Sequence, residues 1–347
     1  MLYATTRSNS HVETTYRAIH LERCSDGGLF VPFRLPQIEI EQIKQMRHGS
    51  FTENMASVLN LFFSKNLAAW DLEFAIGRNP VRFTVIPHRI TIMEAWHCSE
   101  NRYEHIVDSI SRLLCGENQV NMPTNWVQIA VRIATLFASY CQMLAANQVD
   151  LHIPLDISVI SGDFAFPMAA WYARKMGLPI GNIVCGCNAN GAVWDFVHRG
   201  TMTTNVTAVS TNTPLADVAI PENLERLVAA TLGKEGVRHY LDKCRTGQLI
   251  TLSEENAEKL RSGMFVSVIS NSRVETMMHS VYRTGGYILN PYAAVAYGSL
   301  LDYRAKTGES RQALLVCQRS PVCDCDLVAK SMNISVDDVL RKVSIGE

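Results

Sequence analysis

Residues 160–200 read ISGDFAFPMAAWYARKMGLPIGNIVCGCNANGAVWDFVHRG, and this stretch decides the fold. Ile160 closes a compact apolar run, 155–160, rich in the β-branched residues of a strand. Ser161, Gly162 and Asp163 form a small turn, and 166–176 has helical spacing. A second strand starts at 183–184, and a second helix follows it. Such a turn presents backbone N–H groups at a helix N-terminus, where phosphates and other anions bind.

The same alternation extends in both directions. Residues 2–7 alternate like a short strand, and 12–21 have helical spacing before the Ser25-Asp26-Gly27-Gly28 turn. Residues 37–44 and 50–63 read as helices, the second opened by Ser50 with Glu53 three residues on. Strands are expected at 81–85 and 89–93, then a helix at 103–114 and a buried one at 126–145. Further strands are expected at 206–210, 264–269 and 313–317, with helices at 221–232, 273–283 and 293–304. Strands alternating with helices imply an α/β fold with a doubly wound, mostly parallel sheet, whose ligands lie at the strands' carboxyl ends.

Composition narrows the function. The chain has 347 residues, 47% hydrophobic and 19% charged, with a formal net charge of −1. That balance gives no basic excess for nucleic acid or an anionic membrane. The opening LYATTRSNSH has no apolar signal segment, and ten cysteines without one fit reduced thiols in a cytoplasmic protein. Only nine of the 32 basic residues are lysines, and none falls between Lys65 and Lys175.

Three groups of residues resemble the threonine synthase family: the "YATTR" and "CSDGGLFVP" segments, Asn121-Met122-Pro123-Thr124-Asn125-Trp126, and the 160–200 turn. The resemblance covers about 1–97 and 121–334. It implies a small N-terminal module (1–97) and a large α/β domain with an anion-binding turn (121–347). Between them, 98–120 would be a short connector replacing the subdomain that closes over the cofactor, so that subdomain would be largely deleted. In the family, Glu94-Ala95-Trp96-His97 would lead into the lysine that forms a Schiff base with pyridoxal phosphate. Here Cys98-Ser99-Glu100-Asn101-Arg102 follows, and that lysine motif is missing. The phosphate turn is changed to Gly162-Asp163-Phe164-Ala165, with an acid where a phosphate would lie. Gln318-Arg319 stands where the family serves the pyridine nitrogen.

The resemblance then implies an anion site at Ser161, Gly162, Asp163 and Phe164, joined by Asn125, Asn188 and Gln318. His97, Asp163 and Arg319 are the candidate acid–base residues, and Asp163 has a rival role as helix cap. His198 with Asp195, His279 and Asp217 offer weaker acid–base pairings. Cys185-Gly186-Cys187 and Cys323-Asp324-Cys325 lack zinc-knuckle spacing, and no metal is expected. No cofactor is expected either, since Schiff-base chemistry needs a lysine amine; pyridoxal phosphate would require a substitute such as Lys175. The expected function is binding or transforming a small phosphorylated or carboxylated amino-acid-like anion, lyase-like if catalytic. The alternatives are a non-catalytic scaffold subunit and a working threonine synthase. A homodimer or a partner protein is expected to cover the surface left by the deletion.

Overall fold

The computed structural model describes residues 1–8, 12–98, 100–116 and 122–345. Ser99 and 117–121, which belong to the expected connector and the start of the second block, lie outside the described residues.

At the N-terminus, β1 (Leu2–Thr5) pairs antiparallel with β2 (Glu13–Thr14) and β3 (Phe30–Pro32). Inward-facing Tyr3 donates its hydroxyl to the Phe62 carbonyl at 2.9 Å, which ties this sheet to the helices behind it. The segment expected to be helical at 12–21 divides into β2 and α1 (Thr15–His20), where the Thr14 side chain caps the Arg17 N–H. Helices α2 (Ile40–Met46), α3 (Phe51–Phe63) and α4 (Ala69–Ile76) follow. Ser50 and Glu53 cap α3 reciprocally, as their spacing predicts. The sequence gives little sign of α4, because Trp70 and Phe74 face outward and blur its apolar period.

The central sheet collects β4 (Arg82–Ile86), β5 (Ile90–Glu94), β6 (Leu155–Ile160) and β7 (Ile180–Cys187). A two-stranded ribbon, β8 (Thr201–Met202) with β9 (Ile250–Thr251), stands apart from it. The sheet is completed by β10 (Phe265–Val268) and β11 (Ala313–Cys317), in the order β10-β7-β6-β11-β5-β4. All neighbours are parallel except β4, which runs antiparallel to β5. The chain winds outward from β6 through β7 to β10, then returns to β11 on the other side of β6. The reversal between β6 and β11 is the switch point where such sheets open a crevice.

Helices cover both faces. On one lie α5 (Tyr103–Cys115), α6 (Trp126–Ala145) and α7 (Ala165–Lys175), with α3 packed behind α6. On the other lie α11 (Asn271–Gly285) and α12 (Pro291–Thr307), which form a second apolar core. The rest comprises α8 (Ala192–Arg199), α9 (Leu224–Thr246), α10 (Glu254–Arg261), α13 (Cys325–Met332) and α14 (Val336–Ile345). Among the described residues α6 alone is long and apolar enough to cross a bilayer, and it is buried in the protein.

Two expectations are corrected. Residues 206–210 form no strand: the Asn190 amide accepts from the Val209 N–H at 2.8 Å and donates to its carbonyl at 3.0 Å. A side chain thus takes the place of a neighbouring strand, as Asn does in loops. The helix expected at 221–232 begins at Leu224; at Gly233 (φ +70°, ψ −169°) the backbone leaves helical geometry, and a second helical stretch runs on to Thr246.

One arginine ties the N-terminal three-stranded sheet to α9 and to the segment before α6. Arg226 is fully buried in α9 and donates to the Phe30 carbonyl at 3.1 Å and the Thr124 carbonyl at 2.7 Å. It also donates to Asn223 Oδ1. Burial pulls its pKa down to about 10, so it remains charged at neutral pH. Arg226→Met orphans those carbonyls and is expected to lower unfolding free energy by about 3 kcal/mol, read from urea denaturation.

Candidate functional site

A cavity of about 620 Å³ opens at the switch point. Ile160, Ser161, Gly162 and Asp163 enter it from the end of β6, and Gln318 and Arg319 from the end of β11. α5 adds Glu104 and Asp108, α6 adds Gln128 and Arg132, and Tyr292 comes from α12.

The turn after β6 holds Gly162 at φ +45° and Phe164 at φ +66°. Phe164 donates its N–H to the Ser161 carbonyl at 2.7 Å, and Ala165 donates to Asp163 Oδ1 at 2.9 Å. The chain's own oxygens therefore occupy N–H groups at the head of α7. The Asp163 side chain is a helix cap placed at the positive end of the dipole.

The cationic residues at the cavity differ in their pairing. Arg319 donates through Nε to Asp324 Oδ2 at 3.0 Å and lies over the Tyr292 ring. Arg102 is paired with Glu100. Arg132 is 5% exposed and lies against the paired Tyr103 and Phe166 rings, 5.5 and 5.6 Å from their centroids. Its Nη1 donates to the Gln128 carbonyl and Oε1, both at 2.9 Å, while its Nε has no partner. Among the described residues no acid lies within ion-pair distance of it. Burial pushes the neighbouring Tyr103 phenol up to about 12, against the opposing pull of the Arg132 charge.

Of the residues expected from the sequence, Ser161, Gly162, Asp163, Gln318 and Arg319 line the cavity. The other four do not. Phe164 is buried behind the turn. The His97 Nε2 contacts Glu94 Oε2 at 3.0 Å. The Asn125 amide donates to the carbonyls of Ala18, Ile19 and Leu21, and its oxygen caps α6 on the Val127 N–H. The Asn188 amide is taken up by Thr211, Thr213, Ala216 and Asp217. These bonds give Asn125 and Asn188 framework roles.

The weaker pairings dissolve as well. Asp195 pairs with Arg199 at 3.0 Å instead of His198, and His279 contacts the Ser331 carbonyl. Among the described residues no three His, Cys, Asp or Glu side chains gather as a metal site would need. The sequence reading passed over Arg132. Its signal was present: it is the one charged residue in the apolar run Trp126–Ala145.

Comparison with known proteins places this geometry. The family pattern described as the threonine synthase N terminus matches residues 2–79. The fold superposes on the yeast threonine synthase structure with a TM-score of 0.85 at 16% identity, covering 99% of this chain and 94% of that one. For the PLP-bound threonine synthase from Brucella melitensis the TM-score is 0.84 at 17% identity, covering 96% and 92%. The chain is similar to threonine synthases, in fold along nearly its whole length and in the family pattern at its N-terminus. It is 26% identical over 175 residues to human threonine synthase-like 1, which is 50% of this chain but 24% of that protein. Against Pseudomonas aeruginosa threonine synthase it is 26% identical over 185 residues, 52% of this chain and 38% of that one.

The residues present do not fit pyridoxal phosphate (PLP). A Schiff base needs a lysine amine, and no lysine lines the cavity. Lys175, the suggested substitute, ends α7 at the opposite end from the turn, with its ammonium 5.4 Å over the Trp171 ring. At the turn, the Asp163 carboxylate already holds a donor that a phosphate would use.

Two expected outcomes separate framework from site. Asn125→Ala should cost about 2 kcal/mol of stability in urea unfolding, because three buried carbonyls lose their donor. Burial alone would raise the Glu94 pKa, but hydrogen bonds from His97 and Thr84 outweigh it, and the carboxyl sits below its ordinary value. Its contribution is therefore complete above the unfolded glutamate value of about 4.3 and is lost as pH falls through the lower folded value. Thermal unfolding of Glu94→Gln against wild type should show a gap that is constant at neutral pH and narrows in acid.

Proposed function

We propose that this threonine-synthase-like protein binds a small anionic, amino-acid-like ligand at the switch-point cavity and does not perform PLP Schiff-base chemistry. One observation carries the reading: the cavity is lined by arginines and carboxylates but by no lysine. Charged groups of both signs suit a ligand that itself carries both signs. Conversion of that ligand, if it occurs, would rest on acid–base residues such as Asp163 and Arg319, within a cytoplasmic protein. The whole-protein activities of longer relatives are not carried across to it.

The test uses purified protein with added PLP, borohydride reduction and peptide mapping. No lysine should be labelled at stoichiometric yield; one lysine labelled at that yield would overturn the loss of Schiff-base chemistry. In parallel, L-aspartate and O-phospho-L-serine should raise the melting temperature in a saturable way, since a ligand at 100 Kd adds about 2.7 kcal/mol. A flat response to both would reject the binding reading.

A second reading, a non-catalytic scaffold subunit, is favoured by a separate feature. Trp70 and Phe74, one turn apart on α4, are 70% and 94% exposed, and α4 packs on the connector helix α5. Exposed aromatics of that size are uncommon on a free surface. If they face a second copy or a partner protein, Trp70→Glu with Phe74→Glu should lower the mass measured by light scattering or abolish co-purification of the partner.

A further inference from the structure

We infer that Arg132 is the anchor of the cavity: its guanidinium binds the oxyanion of the ligand, while Glu104 and Asp108 on α5 receive the ligand's ammonium group. This inference rests on the binding reading above and names the residues and charge pattern that would carry it.

The argument begins with the energetics of a buried cation. A guanidinium removed from water costs several kcal/mol unless an anion or a full set of acceptors compensates it. Arg226, the comparable buried arginine, has three acceptors on its two terminal nitrogens. Arg132 has one such nitrogen satisfied, by Gln128 alone. Its Nε is sealed from solvent without a partner, as that of Arg226 is too, so the difference lies at the terminal nitrogens. Its Nη2 has no hydrogen-bond partner among the described residues and is not among the sealed atoms, and the residue lines the cavity.

The aromatic rings fix the direction of this side chain. Tyr103 and Phe166 pack against each other, centroids 5.1 Å apart, and the guanidinium lies against both rings from one side, which restricts its side chain. A planar cation with a free donor suits a carboxylate or phosphate oxygen better than a lysine ammonium would. The other cavity arginines already have acids: Arg319 has Asp324 and Arg102 has Glu100. Arg132 is the arginine of this cavity whose charge no carboxylate answers.

The second half of the pattern follows from α5. Glu104 and Asp108 are four residues apart, share one face of that helix, and both line the cavity. Neither is in an ion pair with a described residue. A purely anionic ligand would meet their repulsion; a ligand with an ammonium group beside its oxyanion would not.

Isothermal titration calorimetry tests this with four probes: inorganic phosphate, succinate, L-aspartate and O-phospho-L-serine. Wild type should bind L-aspartate or O-phospho-L-serine more tightly than the amine-free probe of the same anion type. Comparing the carboxylate pair with the phosphate pair tells which oxyanion is preferred. Arg132→Met should weaken the preferred probe by at least about tenfold, while the ligand-free protein melts at or above the wild-type temperature, because an uncompensated buried charge is gone. Asp108→Asn should reduce the preference for the amine-bearing probe and leave the amine-free probe unchanged or tighter.

Wild-type binding that survives Arg132→Met overturns the anchor and leaves the binding reading intact. Failure of wild type to bind any probe overturns both. Should Arg132→Met not fold, arginine modification of the wild type by phenylglyoxal decides instead. The preferred probe should protect the Arg132 peptide, and equal labelling with and without it would overturn the proposal.

Discussion

The molecule depends on one constraint: a twenty-residue apolar helix, α6, must be buried on nearly every face while its ends and its single charge are satisfied. Its apolar sides pack against α3 and α7, and the layer these form covers one face of the sheet. Its start is fixed by Asn125, which bonds three carbonyls of the α1 segment, and by Trp126 with the Tyr3, Phe62 and Tyr172 rings around it. The first turn of α6, with Arg226, is thus one of the ties that hold the N-terminal three-stranded sheet and α1 in place. Two turns on, the same helix delivers Arg132 to the switch point. Framework and site share one element, and their positions cannot be adjusted independently.

Much of this was legible in the sequence because burial writes strong patterns. The run 155–160 has no polar interruption except Asp156 and Ser158, and it forms β6 with those bounds; the same holds for α6 and β11. These elements are long or strongly apolar and bounded by turns. The signal fails where tertiary contacts replace local preference. Val206 and Val209 look like strand residues, but the Asn190 side chain offers a nearer partner than any strand. The turn at 161–165 was found from its glycine and its place between strand and helix. Asn125 and Asn188 look like ligand-binding amides in a list of residues, and only their crowded partners reveal framework duty.

The site residue that the sequence reading missed illustrates a different limit. An arginine within an apolar helix is conspicuous, but its meaning depends on what surrounds it. Arg226 and Arg132 are both buried, and both stack on aromatic rings. The first is answered by backbone carbonyls from two distant segments, which no local pattern encodes. The second is not. Whether a buried arginine is a clamp or an anchor is decided by its acceptors, and those are set by topology.

A cavity lining without lysine and an acid at the turn point in one physical direction. In a site that held a phosphate dianion, a carboxylate at Asp163 would be repelled; at a helix start with no such tenant it is stabilising. The observed bond to the Ala165 N–H belongs to the second situation. Removing the dianion would also leave the cavity's cations in need of other partners. Arg319 has one in Asp324 and Arg102 has one in Glu100, so two of the three cavity arginines are balanced within the chain. A buried charge left open at the third is costly for stability alone, and its persistence beside a 620 Å³ cavity argues that the compensating anion comes from solution.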